Sequence, residues 1–349
     1  VSFLLLGIPL MWIEWTLGRF GGGLGHGTAP GMFHNIANKN RFIKYFGVIG
    51  IFGPIAIFTY YTYIESWLLG YSIFAITGKL FACQDQSSMV SFLKGYQGLE
   101  QNQFFSSLVL AYIFFLITFA VNIATVAGGI QKGIERVCKY GLPVLFMLGI
   151  ILMIRVLTLG SMYPEHPDWT PVRGLGFLWN PDFSSLLDAK VWLAAAGQIF
   201  FTLSVGIGVI LTYASYLKKN DDVILSGLTA ASTNEWVEIV LGGSIAITSA
   251  FLFFGPDGIK TVAESGAFNL GFVAMPLALN HIPVGNIFGF FWFALLFIAG
   301  VTSSISLAQP AIAFLEDEFN IDKKKAVKIF AIITFILCNM CVFLLGKGF

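Results

Sequence analysis

The sequence predicts an all-α polytopic membrane protein, and three observations carry that expectation. Apolar residues make up 56% of the chain and charged residues only 11%, where a soluble domain carries about 25% charge. The apolar residues gather into eight segments, 1–16, 45–78, 105–127, 141–159, 191–217, 222–254, 285–315 and 326–346, most of them long enough for the roughly 20 residues that a membrane-spanning helix needs. One of the eight, 191–217, reads VWLAAAGQIFFTLSVGIGVILTYASYL and is interrupted at its centre by TLSVGIG. That interruption predicts a broken helix at 191–217.

The segments can be justified in order. The first, opening VSFLLLGIPLMWIEW, is shorter than a full span and starts inside an apolar run, so part of its helix is expected to precede residue 1. No basic start or cleavage site marks it as a signal peptide. Segments 45–78, 105–127 and 141–159 are long enough to cross. The connection 160–190 holds four prolines and two tryptophans, the composition of an ordered interfacial loop. Stretch 255–284 contains apolar runs too short to span and is expected to form a re-entrant or capping hairpin. Segments 285–315 and 326–346 complete the set.

The connections differ in charge. Those at 17–44, 128–140, 218–221 and 316–325 hold Arg19, Lys39, Arg41, Lys44, Lys132, Arg136, Lys139, Lys218, Lys219, Lys323, Lys324 and Lys325. Those at 79–104, 160–190 and 255–284 are longer and poorer in Lys and Arg. The positive-inside rule places the first set in the cytoplasm of a multi-pass protein of the cell (plasma) membrane. Partners beyond the lipid bilayer are restricted: a net charge of +1 gives no reason to expect nucleic acid. The cysteines Cys83, Cys138, Cys338 and Cys341 have no metal or disulfide spacing. No H-E-x-x-H, catalytic triad or Walker loop occurs, so no enzyme and no organic cofactor are expected.

Within 191–217, Thr202, Ser204, Gly206 and Gly208 fall within seven residues. Glycine costs a helix about 1 kcal/mol relative to alanine, and hydroxyl side chains compete for backbone partners. Small residues also serve close packing between membrane helices, so the segment alone leaves two readings. Polar residues at similar depth in other segments favour the first. Asn234 lies about 12 residues, roughly 18 Å of helix, from the nearer end of its segment, and Glu238 follows at i+4 on the same face. Gln198 and Thr202 are also i and i+4, and Ala299, Thr302 and Ser303 are i, i+3 and i+4. Tyr61 is central in YYTYIESW. Intramembrane carboxylates are costly and are functional candidates by default, which singles out Glu14, Glu65, Glu235 and Glu238. Each also has a plainer role: a hydrogen bond to a neighbouring helix for the carboxylates, bonding to the preceding turn for Thr302 and Ser303, aromatic packing for Tyr61. Together, hydroxyl, carboxamide and carbonyl oxygens are what a hard dehydrated cation such as Na⁺ requires, and a broken helix adds its exposed ends.

The stretches GIPLMWIEWTLGRFGG, YYTYIESW, KGIERVCKYGLP, GQIFFTLSVGIG, SGLTAASTNEWVEIVLGGS, GAFNLGF and AGVTSSISLAQPAIAFLEDE closely resemble the bacterial members of the neurotransmitter:sodium symporter family, the leucine transporter and related hydrophobic amino-acid transporters. The resemblance implies part of the leucine-transporter inverted-repeat fold: a single transmembrane domain fragment, 1–349, in which 1–159 are helices 2–5 of the first repeat and 191–346 are helices 6–9 of the second. Helix 1 and helices 10–12 of that fold are then not in this sequence. Two sodium sites are implied. Thr202 and Asn234 belong to the first, and Ala299, Thr302 and Ser303 to the second. The resemblance puts the substrate carboxylate on Tyr61, its ammonium on the Phe201 and Thr202 carbonyls and Ser204, and its side chain among Ile57, Phe201, Ile207, Ser303 and Leu307, with Phe201 stacking on Tyr61 as a lid. Asp317 is assigned to a cytoplasmic gate. Chloride-dependent members carry a small polar residue where Glu238 stands, so its carboxylate, with Gln198 beside it, implies charge compensation without chloride. The leucine transporter has phenylalanine at the position of Ile207 and isoleucine at that of Leu307, which implies room here for a larger neutral apolar amino acid. The expected activity is sodium-coupled symport by alternating access. An amino-acid-binding receptor and a passive channel are the alternatives, and oligomeric state is left open.

Overall fold

The computed structural model describes residues 1–264 and 266–345, and all regular structure among them is helical. A π-helical turn, Phe3–Gly7, leads into α1 (Ile8–Gly23). Two short helices, α2 (Ala29–Ile36) and α3 (Arg41–Phe46), precede the long α4 (Ile49–Ile76). Then come α5 (Gln86–Gln97), α6 (Val109–Ala127), α7 (Glu135–Leu157) and α8 (Pro171–Trp179). The broken segment forms α9 (Ala189–Thr202) and α10 (Val209–Ala214). After it stand α11 (Val223–Glu235), α12 (Ser244–Glu264), α13 (Ala267–Asn269) and α14 (Met275–Asn280). The long α15 (Gly285–Phe319) and α16 (Lys323–Leu345) close the described chain.

Among the described residues, seven helical stretches are long and apolar enough to cross a membrane: Phe3–Gly23, Arg41–Ile76, Val109–Ala127, Ile130–Leu157, Val223–Thr261, Gly285–Phe319 and Lys323–Leu344. They overlap seven of the eight segments read from the sequence, and the first, expected to fall short of a full span, runs on to Gly23 and reaches 21 residues. The eighth is the broken one, whose halves are each too short to be counted. Local chemistry sets several boundaries. Asp188 and Asp222 cap α9 and α11 by accepting backbone N–H groups, and Asp85 with Ser88 forms a capping box at α5, each satisfying donors that the first helical turn leaves open.

Two departures from a simple helix count matter. Segment 222–254 is not one regular α-helix. Trp236–Gly243 is a π-helical stretch between α11 and α12, a feature found often at functional sites. Farther on, α12 turns sharply at Gly255 (φ 69°), which Pro256 follows. A Cβ at Gly255 would lie 2.2 Å from the Trp169 ring, so the 160–190 connection seats that indole on this glycine. Beyond the kink the chain forms short helices, with Met275 and Leu277 buried. The stretch 255–284, expected to form a re-entrant or capping hairpin, is thus a series of short helices, and residue 265 of it lies outside the described residues.

The core is centred on α4 and α15, which pack against each other over much of their length. Phe58, Tyr63 and Tyr71 from α4, Phe115 from α6, and Phe293, Ile305 and Ala308 from α15 are fully buried. The broken segment is held differently. Its second half lies on α1, where Gly18 and Gly22 allow backbone approach: a Cβ on Gly18 would stand 2.4 Å from the Leu211 carbonyl oxygen, and one on Gly22 would stand 1.9 Å from that of Ser215. This small-x-x-x-small spacing is a general device for close helix packing.

Candidate functional site

The break in the middle segment is a backbone fact. Between Thr202 and Val209 the chain leaves the helix, with Ser204 (φ 54°), Gly206 (φ 83°) and Gly208 (φ 82°) all in the left-handed region. Glycine enters that region without steric penalty, which explains two of the three positions. The break is pinned from outside. Glu14 of α1, buried, accepts the Gly206 backbone N–H. Gly208 lies against α4, where a Cβ would sit 2.5 Å from the Gly50 carbonyl oxygen. The carboxylate of Glu14 therefore bonds to a neighbouring element, as its plainer reading anticipates, and that element is the broken backbone itself.

Four predicted residues meet just before the break. The Asn234 Nδ2 donates to the Thr202 hydroxyl at 2.6 Å, and the Thr202 hydroxyl donates to Glu238 Oε2. The Gln198 Nε2 donates to Glu238 Oε1. Gln198 and Thr202 come from α9, Asn234 from α11 and Glu238 from the π-helical stretch. Thr202, Asn234 and Glu238 are half-buried, whereas Gln198 is exposed. The result is a carboxylate, a hydroxyl and two carboxamides in one hydrogen-bonded cluster beside the C-terminal end of α9, where the macrodipole is negative. Such a surface suits a cation.

The second predicted group lies on α15. The Thr302 hydroxyl donates to the Ala299 carbonyl at 2.9 Å, which is the plainer reading for Thr302 realised. The carbonyl of Thr302 accepts the Ser306 hydroxyl at 2.8 Å. Ser303 is exposed and neighbours the hydroxyl of Tyr61. Ile57, Tyr61, Ile207 and Leu307 all belong to the main apolar core, in which α4 packs along α15 and Gly208 of the break lies against Gly50 of α4. Phe201 is 72% exposed, and among the aromatic pairs of the described residues none joins it to Tyr61. The expected Phe201–Tyr61 lid is thus not formed in this arrangement, in which the Phe201 ring stays largely uncovered. Ser204 is half-buried at its left-handed position. Asp317 accepts the Gly27 backbone N–H at 2.7 Å, which ties the connection after α1 to the end of α15.

Sequence reasoning did not find the Tyr213 contact, in which its hydroxyl donates to Ser306 at 3.2 Å and joins α10 to α15. Nor did it pair Gln309 with Tyr216, whose hydroxyl accepts the Gln309 Nε2 at 2.8 Å. Both pairs are 93 residues apart, and no local pattern links them.

The break and the polar cluster beside it can now be set against known proteins. Residues 86–348 match the family model described as the sodium:neurotransmitter symporter family. The chain belongs to that family. It is 30% identical to an uncharacterised sodium-dependent transporter of Haemophilus influenzae, over 99% of this chain and 69% of that protein. It is 28% identical to an uncharacterised sodium-dependent transporter of Methanocaldococcus jannaschii, over all of this chain and 67% of that protein. The crystal structure of MhsT in complex with L-phenylalanine has the same fold, with a TM-score of 0.78, 29% identity, and coverage of 97% of this chain and 70% of that one. The family consists of membrane transporters rather than enzymes, and membership implies coupling to Na⁺. The symporter family thus accounts for the all-α, multi-pass architecture and for its broken helix.

Proposed function

We propose that this chain forms the substrate- and ion-binding part of a sodium-coupled symporter of neutral, hydrophobic amino acids that works by alternating access. The observation that carries the reading is the Gln198–Thr202–Asn234–Glu238 cluster at the break. It gathers oxygen atoms and one fixed negative charge where a helix ends within an apolar span. Turning the Asn234 carboxamide about its last bond exchanges its nitrogen for an oxygen beside the Thr202 hydroxyl, which makes a pair of neutral ligands for Na⁺. Ala299, Thr302 and Ser303 are the second set, and the neighbouring Tyr61 hydroxyl is suited to a substrate carboxylate. A shared site makes substrate and ion affinities reciprocal. On this reading 1–159 and 191–346 are the two repeat halves, the connections 17–44, 128–140, 218–221 and 316–325 face the cytoplasm of the cell membrane, and Asp317 belongs to the cytoplasmic closure. In proteoliposomes, saturable accumulation of amino acid is expected only with an inward sodium gradient. Gradient-following flux with no sodium requirement indicates a channel instead, and binding without counterflow indicates a receptor.

Chloride independence rests on Glu238. Its carboxylate supplies the anion that offsets a nearby Na⁺, and loss of one partner of a buried charge pair is strongly unfavourable. In the Glu238→Ser variant, transport is expected to fall at least about tenfold in chloride-free buffer and to recover when chloride is added, a change of roughly 1.4 kcal/mol. Transport that is indifferent to chloride in this variant counts against the assignment.

The substrate wall contains Ile57, Ile207 and Leu307, all apolar. The likeness to a protein crystallised with L-phenylalanine agrees with a pocket for large side chains. Tryptophan, phenylalanine and leucine are expected to compete for one sodium-dependent site more strongly than alanine or glycine. The reverse order contradicts the substrate class.

A further inference from the structure

A second buried polar cluster lies away from the break. Glu65 on α4 is 1% exposed, and Asn122 on α6 and Ser304 on α15 are 0% exposed. Oε2 of Glu65 accepts the Asn122 Nδ2 at 3.0 Å and lies against the Ser304 hydroxyl, whose one proton is shared between it and the Gly300 carbonyl. Two oxygens of this cluster have no hydrogen-bond partner: Oε1 of Glu65 and Oδ1 of Asn122. No cation compensates the carboxylate, since neither ion pair among the described residues involves it. The groups facing it from α6 and α15 are Asn122 and Ser304, which do not titrate, and its titratable neighbour is Tyr61, one turn away on α4.

Both unpartnered oxygens are acceptors when Glu65 is ionised, and a buried acceptor left unsatisfied is destabilising. An ionised carboxylate without a countercharge is costlier still at this depth. One proton resolves both problems. A hydrogen on Oε1 would be a donor for Asn122 Oδ1, while Asn122 Nδ2 already donates to Oε2. The two side chains then form a closed ring with one donor and one acceptor on each partner.

We propose that Glu65 is a neutral carboxylic acid paired with Asn122 in a cyclic acid–amide ring, and that this ring with Ser304 is the strut that sets α15 against α4 and α6. The strut holds the stretch that the functional reading needs. Ser304 follows Ser303, and Gly300 follows Ala299. A Cβ on Gly300 would lie 3.0 Å from Glu65 Cγ, so the contact is close enough to fix the register of α15 against Tyr61. The positioning role rests on the assignment of Ala299, Thr302 and Ser303 to a cation, whereas the protonated ring does not.

Infrared difference spectroscopy of the purified protein at neutral pH tests the ring. The wild-type minus Glu65→Gln spectrum is expected to show loss of a protonated carboxyl carbonyl band that shifts on deuteration and is perturbed by Asn122→Leu. Loss of ionised carboxylate bands instead overturns the proposal. Glutamine reproduces the donor and acceptor of the neutral acid, so Glu65→Gln should hold its thermal midpoint within about 3 °C and its sodium affinity within about twofold. Glu65→Ala and Asn122→Leu should lower the midpoint by roughly 5–10 °C and weaken sodium-dependent amino-acid binding about tenfold. Glu65→Gln losing as much as Glu65→Ala also overturns it. If the wild type shows no sodium-dependent binding, the transport reading fails, but the infrared and thermal results still decide the ring.

Discussion

Replacing Asn234 with alanine is expected to reduce sodium-dependent amino-acid uptake by about 100-fold with little change in fold. The Asn234 carboxamide is joined to the Thr202 hydroxyl at 2.6 Å, and that hydroxyl donates to Glu238. Truncation removes one of the few neutral oxygens available to a dehydrated cation and leaves Thr202 with one partner fewer. A hydrogen bond or ligand to a charged group contributes roughly 1.5–3 kcal/mol, and tenfold corresponds to about 1.4 kcal/mol, which sets the expected range. The apparent sodium affinity should carry most of the loss, and a higher sodium concentration should recover part of the rate. Uptake measured against sodium concentration checks this. Asn234→Ala transport with an unchanged sodium curve removes Asn234 from the ion site.

Replacing Gly208 with valine is the change expected to do most damage to the fold. The residue has φ 82°, where a β-branched side chain is strained, and its Cβ would meet the Gly50 carbonyl oxygen at 2.5 Å and the Gly50 Cα at 2.7 Å. These are backbone atoms that no rotamer change can move. Overpacking costs about 1–3 kcal/mol and the left-handed conformation a further 1–2 kcal/mol or so. The thermal midpoint in detergent should therefore fall by roughly 10 °C or more, with loss of monodisperse protein. Gly197 is the control. It lies in α9, and a Cβ there would meet nothing within 4 Å, so Gly197→Ala should be neutral or stabilise by up to about 1 kcal/mol. Equal behaviour of the two variants contradicts the close approach of the break to α4.

How much of this was legible in the sequence differs from residue to residue. The break announces itself, because TLSVGIG combines weak helix formers at mid-segment, and the left-handed angles fall on Ser204, Gly206 and Gly208. The i, i+4 spacing put Gln198 with Thr202 on one face and Asn234 with Glu238 on another; that Thr202 meets Asn234 was implied by the resemblance alone, and its bond to Glu238 was not foreseen. The π-helical stretch at Trp236–Gly243 was not legible, since WVEIVLGG is apolar at all but one position and has no face pattern whose phase could shift. Glu65 was visible as a costly carboxylate, but its partners Asn122 and Ser304 are 57 and 239 residues away. Periodicity reports which face a residue occupies, not which helix covers that face. The Phe201 ring shows the same limit from the other side, because a resemblance assigns it a partner that its 72% exposure does not provide.

The central claim is that oxygen atoms of the broken segment, α11 and α15 together hold Na⁺ and an amino acid. Equilibrium binding of L-phenylalanine or L-leucine to the purified protein, in sodium and then in choline at equal ionic strength, tests it most directly. The account predicts saturable binding in sodium, near-complete loss in choline, and loss in sodium when Thr202 and Asn234 are both replaced by alanine. Equal binding in the two salts, or binding that survives the double replacement, would contradict it.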